Sequence, residues 1–151
     1  MPADRSYVAQ NTAQRDRLKA FVTRATDQDL KTAMPAGWTV AAVLAHLAFW
    51  DQRIVVLIDA WESEGAAAVP RTVNDDDIGW VNDAGKPHCL ALQPRVAAQL
   101  AVAAAEAADG KLAGLKDEFV AANTKAGSPI NPLRATHRKE HLDEIERALK
   151  P

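Results

Sequence analysis

The stretch VAAVLAHLAFWDQRIVVLIDAW, from Val40 to Trp61, carries the clearest secondary-structure signal in the chain. Its large apolar residues recur at intervals of three and four, the period of an α-helix that buries one face. They are Val43, Leu47, Trp50, Ile54, Leu57 and Trp61. Thr39 can cap the start of this helix and Gly65 follows its end. The spacing therefore predicts a long amphipathic helix, the second in the chain.

Helices are also predicted before and after this one. Residues 3–26 place four apolar side chains at helical spacing, which predicts a first helix. These four are Leu18, Phe21, Val22 and Ala25. Pro94 suits the first turn of a third helix, and Asn131 can cap a fourth helix whose first turn holds Pro132. No segment shows the alternation of apolar and polar residues that would predict a β-strand instead.

Residues 65–93 separate the second helix from the third and hold three glycines, two prolines and an acidic run. We expect a crossover here, with one short helix near residues 76–83. A connection of this length lets the helices on either side of it run in the same direction. The sequence thus predicts an all-α fold, a four-helix bundle with a long crossover between helices two and three, in one domain spanning residues 1–151.

The composition narrows the class of protein. A chain of 151 residues with 48% apolar and 25% charged residues fits one globular domain with a real core. The net charge of −2 comes from interspersed signs, so we expect a small-molecule partner and no nucleic acid or membrane. A homodimer is compatible with these features. The single cysteine, Cys89, and an N-terminus unlike a signal peptide favour a cytoplasmic location.

The apolar run from Val40 to Trp61 is as long as a membrane-spanning helix, but polar residues interrupt it. They are His46, Asp51, Gln52, Arg53 and Asp59. This pattern argues against a membrane span.

Three of the four histidines fall at inward positions of predicted helices. His46 lies one turn from Val43 on the second helix. His137 and His141 lie on the inward stripe of the fourth helix, with Cβ atoms about 6 Å apart, a spacing that lets two imidazoles bind one ion. That stripe is formed by Ile130, Leu133, Ile145 and Ala148. We therefore expect His137 and His141 in the middle of the core, and His46 on the flank of the apolar stripe within the bundle interior.

Burial of these imidazoles has to be compensated. A lone inward histidine is more often a hydrogen-bonded core residue than a ligand. Three uncompensated imidazoles, however, would cost about 1–3 kcal/mol each. One shared ion removes that cost, so the sequence predicts a metal site at His46, His137 and His141.

Two motifs add a resemblance to a known family. GWTVAAVLAHLAFWDQR, residues 37–53, resembles the opening motif of the DinB/YfiT-like superfamily, and HRKEH, residues 137–141, resembles its closing motif. TDQDLKTAMP, residues 26–35, is similar to the lead-in of that superfamily. The resemblance spans nearly the whole chain and implies a four-helix bundle holding a divalent metal, zinc or nickel. The three metal-binding side chains match His46, His137 and His141.

Relatives in this superfamily include thiol-dependent S-transferases and a mycothiol-dependent maleylpyruvate isomerase. The resemblance therefore implies a low-molecular-weight thiol as cosubstrate. A three-histidine site with an open fourth position is typical of catalytic centres, where the ion lowers the pKa of bound water or thiol. We predict a metal-dependent enzyme, a thiol transferase or isomerase acting on a small electrophile. A non-enzymatic binding or stress-response module and metal-assisted hydrolysis remain alternatives.

Four further residues are candidates for the site. Glu140 within HRKEH matches the general base of inverted zinc peptidases, although only ten residues follow His141 where that family needs a distant third ligand. Arg134 lies one turn before the histidines and could anchor an anionic substrate. Trp50 could wall the pocket, and Asn82 resembles an asparagine of some relatives. Each also has an ordinary structural interpretation. Glu140 could be a solvated carboxylate and Arg134 an arginine that extends from the end of the bundle to solvent. Trp50 could be a core residue and Asn82 a cap or turn residue.

Overall fold

The computed structural model describes residues 2–70 and 74–151, and within them it contains no β-strand, only an isolated bridge between Ala33 and Thr39. The helices are α1 (Tyr7–Arg24), α2 (Asp27–Lys31), α3 (Val40–Glu64), α4 (Asp75–Ala91), α5 (Pro94–Ala113), α6 (Asp117–Lys125) and α7 (Ala135–Leu149). Two single turns of 3-10 helix lie at Pro35–Gly37 and Ala66–Ala68. The predicted all-α class is confirmed.

Helix α3 begins and ends where its sequence predicts. The Thr39 hydroxyl accepts a hydrogen bond from the Ala42 N–H at 3.1 Å and so caps the first turn. At the other end Gly65 adopts a φ of +92°, a conformation that glycine reaches without strain. The most apolar window of α3 is long enough to cross a membrane, but 72% of it is buried inside the protein. Its apolar character is therefore that of a core helix.

Helices α3 and α5 run in the same direction. Residues 40–48 of α3 share one core cluster with residues 97–105 of α5, which are rich in alanine. Further along both helices, Ile54 and Ile58 share a second cluster with Ala108 and Leu112. The connection through α4 is therefore a crossover, as the length of residues 65–93 predicts.

Helices α1 and α7 run in the opposite direction to α3 and α5. Tyr7, at the start of α1, donates to the carbonyl of Leu112 near the end of α5 at 3.2 Å. Along α1 and α7, Asn11 pairs with the start of α7 and Arg17 pairs with Asp143 further on. These contacts place α7 alongside α1 and bring its middle turns against α3.

The elements differ from the prediction at three places. The crossover helix α4 is longer than the predicted residues 76–83, because it continues through Gly79, Gly85 and Pro87. Helix α1 ends at Arg24, two residues before its predicted end, and the Thr26 hydroxyl accepts from the Asp29 N–H at 3.0 Å and caps α2, which was not predicted. Helix α6 was not predicted either. Crossover residues 71–73 lie outside the described residues.

The start of α7 also differs from its prediction. Asn131 does not cap the helix; its side chain accepts from the Leu133 N–H in a turn that precedes it. The first N–H groups of α7, those of Arg134 and Ala135, instead donate to the Asn11 side chain of α1 at 2.8 and 2.9 Å. A tertiary contact therefore decides where the helix that carries two histidines begins.

Candidate metal centre

Helices α3 and α7 bring the three predicted histidines together. The Nε2 atom of His137 lies 3.1 Å from Nε2 of His46 and 3.1 Å from Nε2 of His141. The ligand atoms of all three side chains lie within 4.8 Å of one another. Three ring nitrogens on two helices thus point at one small volume.

His137 and His141 lie at the edge of the core and not in its middle, which corrects their predicted position. The residues of α7 that are buried are Ala135, Arg138, Leu142 and Ile145. His137 and His141 are half-buried beside this stripe, and His46 is 9% exposed. The imidazoles are therefore partly desolvated while one side of the cluster stays open.

Protons alone cannot satisfy the three converging nitrogens. Nδ1 of His141 lies 2.9 Å from a carboxylate oxygen of Glu144, which accepts hydrogen bonds, so the proton sits on Nδ1 and leaves a lone pair on Nε2. If Nε2 of His137 carries a proton, it can donate well to only one of its two neighbours. If it carries none, it faces the lone pair of His141. A cation shared by three lone pairs removes this conflict, and nitrogen donors of this kind suit zinc or nickel.

The electrostatics of the cluster keep the lone pairs available. Burial, together with the neighbouring His141, lowers the pKa of His46 to about 4. Burial, the other two imidazoles and the charges of Arg134 and Arg138 lower the pKa of His137 to about 3. Both rings are therefore neutral at pH 7, which is the form that binds metals.

The lowered pKa values predict that the metal-free protein loses stability in acid. The unfolded chain takes up protons on His46 and His137 near pH 6.5, whereas the folded chain does so only near pH 4 and 3. Because the unfolded state binds more protons in between, the free energy of unfolding falls as the pH drops below about 6.5. The loss should be on the order of 1 kcal/mol per pH unit for each histidine. Denaturant unfolding between pH 7.5 and 4.5 measures it.

The control for this acid effect is a variant with both His46→Gln and His137→Gln, which keeps polar side chains but cannot titrate. Its stability should depend less on pH over the same range than that of the wild type. Equal slopes in the two proteins would contradict the assignment.

Glu144 is a site residue that the sequence prediction missed. Its contact with Nδ1 of His141 fixes the tautomer and the ring orientation of that imidazole, as a carboxylate behind a metal-binding histidine commonly does. The signal was present, because Glu144 lies one helical turn after His141. Glu140, the predicted base, is exposed on the outer side of α7.

Two cavities open beside the cluster and share His46 and Asn82 as wall residues. The histidine cavity, of about 640 Å³, is lined also by Trp38, His141, Glu144 and Arg147. The apolar groove, of about 960 Å³, lies between α3, α4 and α5. A molecule bound in either cavity would reach the imidazole of His46.

Asn82 lines both cavities, whereas Trp50 lines neither and contacts Asn82. The indole N–H of Trp50 donates to the Asn82 side-chain oxygen at 2.8 Å, which ties α3 to α4. With its oxygen so engaged, Asn82 keeps its amide N–H groups for a ligand in either cavity. Trp50 therefore contributes by fixing the orientation of the Asn82 side chain through this hydrogen bond.

Arg134 is placed differently from its prediction as a substrate anchor. Its Nε donates to the Asp51 carboxylate at 2.9 Å, and its side chain is only 8% exposed. The guanidinium is therefore already paired with a buried carboxylate. Arg147 lines the histidine cavity instead, and it makes no ion pair with the residues that the structure describes.

Arg138, the neighbour of His137, lies at the centre of a buried ion network. Its fully buried guanidinium donates to Asp109 through two hydrogen bonds of 2.8 Å and to Asp51 at 3.1 Å. Burial disfavours the charged form, but the bonds to Asp109 and the charge of Asp51 outweigh it and raise the pKa of Arg138. Since Asp51 lies on α3 and Asp109 on α5, the network fixes α7 against both helices.

The arrangement defines an all-α protein with a three-histidine cluster that could hold a metal ion. A family model described as the mycothiol maleylpyruvate isomerase N-terminal domain matches residues 12–137. The chain belongs to this family, which is DinB/YfiT-like, as the sequence motifs indicate. The match includes His46 and His137, and His141 follows one turn after its end. No curated protein and no solved structure matches the chain significantly.

Proposed function

We propose that this protein is a divalent-metal-dependent enzyme that transfers a low-molecular-weight thiol to a small electrophile, or isomerises the electrophile with the help of the thiol. The observation that carries the proposal is the convergence of three imidazoles beside an open cavity. His46, His137 and His141 would hold the ion, zinc or nickel. When bound, it would supply Lewis acidity that lowers the pKa of a thiol or water.

The other cavity residues have separate roles in this proposal. Glu144 keeps the Nε2 lone pair of His141 directed at the centre. Arg147, which lines the same cavity, binds an anionic group of the substrate or of the thiol. Asn82 donates its amide N–H groups to the bound molecule. Trp38 lies edge-on to His46, with ring centroids 5.8 Å apart, and limits access of water from that side.

The bundle architecture, the location and the partners of the protein are proposed from the family and from the sequence. We propose that α1, α3, α5 and α7 are the four-helix bundle of DinB/YfiT-like proteins, with α4 as part of the crossover. The interspersed charges and the single cysteine support a cytoplasmic protein with small-molecule partners and no nucleic acid. A homodimer and mycothiol as the particular thiol stay predictions.

Replacing Glu144 tests its role behind the metal ligand. Glu144→Gln should weaken zinc binding by about 10-fold to 100-fold, because the weaker acceptor no longer fixes the tautomer of His141. Competition titration with a chromogenic chelator measures the affinity. Glu140→Gln is the matched control on the same helix and should leave zinc affinity unchanged. The reverse pattern would move the supporting role to Glu140.

Replacing Arg147 tests anion binding in the histidine cavity. Arg147→Ala should raise KM for an anionic electrophile by about tenfold or more, with a smaller effect on kcat, because a charge-assisted contact is lost. Lys150→Ala removes the same charge nearby on an exposed side chain and should leave KM within about twofold. Equal effects on KM in the two variants would contradict a specific contact of Arg147 and would show that only the positive charge at the end of α7 matters.

A reaction screen tests the proposed function itself. Protein loaded with zinc or nickel is assayed with several low-molecular-weight thiols, mycothiol included, against a panel of small electrophiles. We expect thiol-dependent turnover that is lost in His137→Ala. Hydrolysis of an ester or amide without thiol would replace the proposal by metal-assisted hydrolysis. The absence of both activities in metal-loaded protein would favour a non-enzymatic binding module.

A further inference from the structure

The apolar groove between α3, α4 and α5 takes one face from each helix. On α5 its lining residues are Leu100, Ala103, Ala104 and Ala107, which follow the i, i+3, i+4, i+7 pattern of one helix face. The α4 face includes Val81, Asn82, Gly85 and Cys89 at the same helical spacing. On α3 the lining runs from Ala45 and His46 to Val56, so His46 lies at one end of this face of the groove.

Exposed apolar side chains concentrate on this groove. The described residues include eight large hydrophobic side chains that are exposed, and five of them line it. They are Phe49, Val56, Val81, Leu92 and Leu100, with exposed fractions between 37% and 56%. Large apolar groups exposed together on one side of a soluble domain mark a binding site.

The shape of the groove favours a small molecule over a second protein. Its volume of about 960 Å³ lies within the range of ligand pockets, about 300–1,000 Å³. Its lining includes Ala45, Ala48 and Gly85, whose small side chains leave space between the helices. His46 and Asn82 line both this groove and the histidine cavity, and the other polar side chains of the mostly apolar lining are Gln52, Arg53 and His88. Such a site fits a molecule with an apolar body and a polar head.

We propose that this groove is a subsite for the apolar body of the substrate, an aliphatic chain whose reactive polar end reaches the histidine cluster. The proposal deepens the proposed function, on which it rests for the identity of the bound molecule as substrate. Binding of the hydrocarbon itself depends only on α3, α4 and α5. The two proposals therefore can fail separately.

Binding of a series of neutral 1-alkanols, from butanol to decanol, tests the subsite by calorimetry, with the metal loaded and again after chelation. Affinity should rise by about fourfold per added methylene until the groove is filled. The rise should persist without metal. Affinity that does not change with chain length would overturn the subsite whether or not thiol transfer is found.

Two variants locate the binding. Ala103 and Ala107 line the groove at exposed positions, so Ala103→Phe and Ala107→Phe fill it without disturbing the core, and we expect at least tenfold weaker octanol binding. Ala20→Phe, at an exposed position of α1, is the matched control and should bind as the wild type does. Unchanged octanol affinity in both groove variants would overturn the proposal.

Cys89 supplies an independent readout because it lines the groove and is the only cysteine. Octanol should slow its alkylation by iodoacetamide severalfold in the wild type but not in Ala103→Phe. Sedimentation of the wild type tests whether a second copy of the chain occupies the groove instead. A dimer that Ala103→Phe dissociates, together with no octanol binding, would assign the groove to a second copy of the chain and overturn the subsite.

Discussion

Chelation of the proposed metal should lower the melting temperature of the wild type by about 8–16 °C. The three histidines lie on two different helices, α3 and α7, so the assembled cluster exists only in the folded chain. A ligand at about 1,000 times its Kd stabilises the folded state by about 4 kcal/mol, and for a chain of this size about 1 kcal/mol corresponds to 2–4 °C. Differential scanning calorimetry of holo and stripped protein measures the shift.

His141→Ala should remove most of this chelator sensitivity, because two imidazoles bind an ion far less tightly than three. His88→Ala is the matched control, since His88 is the one histidine outside the cluster and is exposed on α4. It should keep the full shift. Equal melting of holo and stripped wild-type protein would contradict a metal that joins α3 to α7.

Arg138→Ala should lower the free energy of unfolding by about 3–5 kcal/mol, the second large effect that we expect. The guanidinium is fully buried, and its removal takes away its hydrogen bonds to the buried carboxylates of Asp51 and Asp109. Arg134 still pairs with Asp51 and Arg15 with Asp109, but buried carboxylates that lose part of their compensation are costly because the protein interior solvates them poorly. Urea unfolding at neutral pH measures the loss.

Lys139→Ala is the control for Arg138, at the next position of the same helix. Its ion pair with Asp143 also has a length of 2.8 Å, but the lysine side chain is 62% exposed. Solvent-exposed pairs contribute little, so we expect a change within about 0.5 kcal/mol. Similar losses in the two variants would show that burial does not set the strength of this network.

The parts of the fold that the sequence predicts are those that local chemistry decides. Thr39 caps α3 and Gly65 ends it, and both act within one turn of their own position. The i, i+4 spacing of His137 and His141 places both rings on the same side of α7 whatever that helix packs against. These local features put the three histidines in reach of one another once α3 and α7 are in contact.

The remaining features depend on contacts between distant residues. The side chain of Asn11 sets the start of α7, so Ile130 and Leu133 precede the helix, although the predicted stripe relied on them. Without those two residues the buried stripe passes through Arg138 and not through His137. An arginine in the core is not predictable from its own segment, because its counterions come from α3 and α5.

Calorimetric titration of zinc into metal-free protein tests the three-histidine centre most directly, with the wild type compared against His46→Ala, His137→Ala and His141→Ala. We predict one zinc ion per wild-type chain and at least a hundredfold loss of affinity in each of the three variants, with His88→Ala unchanged. His46→Ala is the decisive variant, since His46 alone comes from α3. Zinc binding by His46→Ala with wild-type affinity, or no binding by the wild type, would contradict the account.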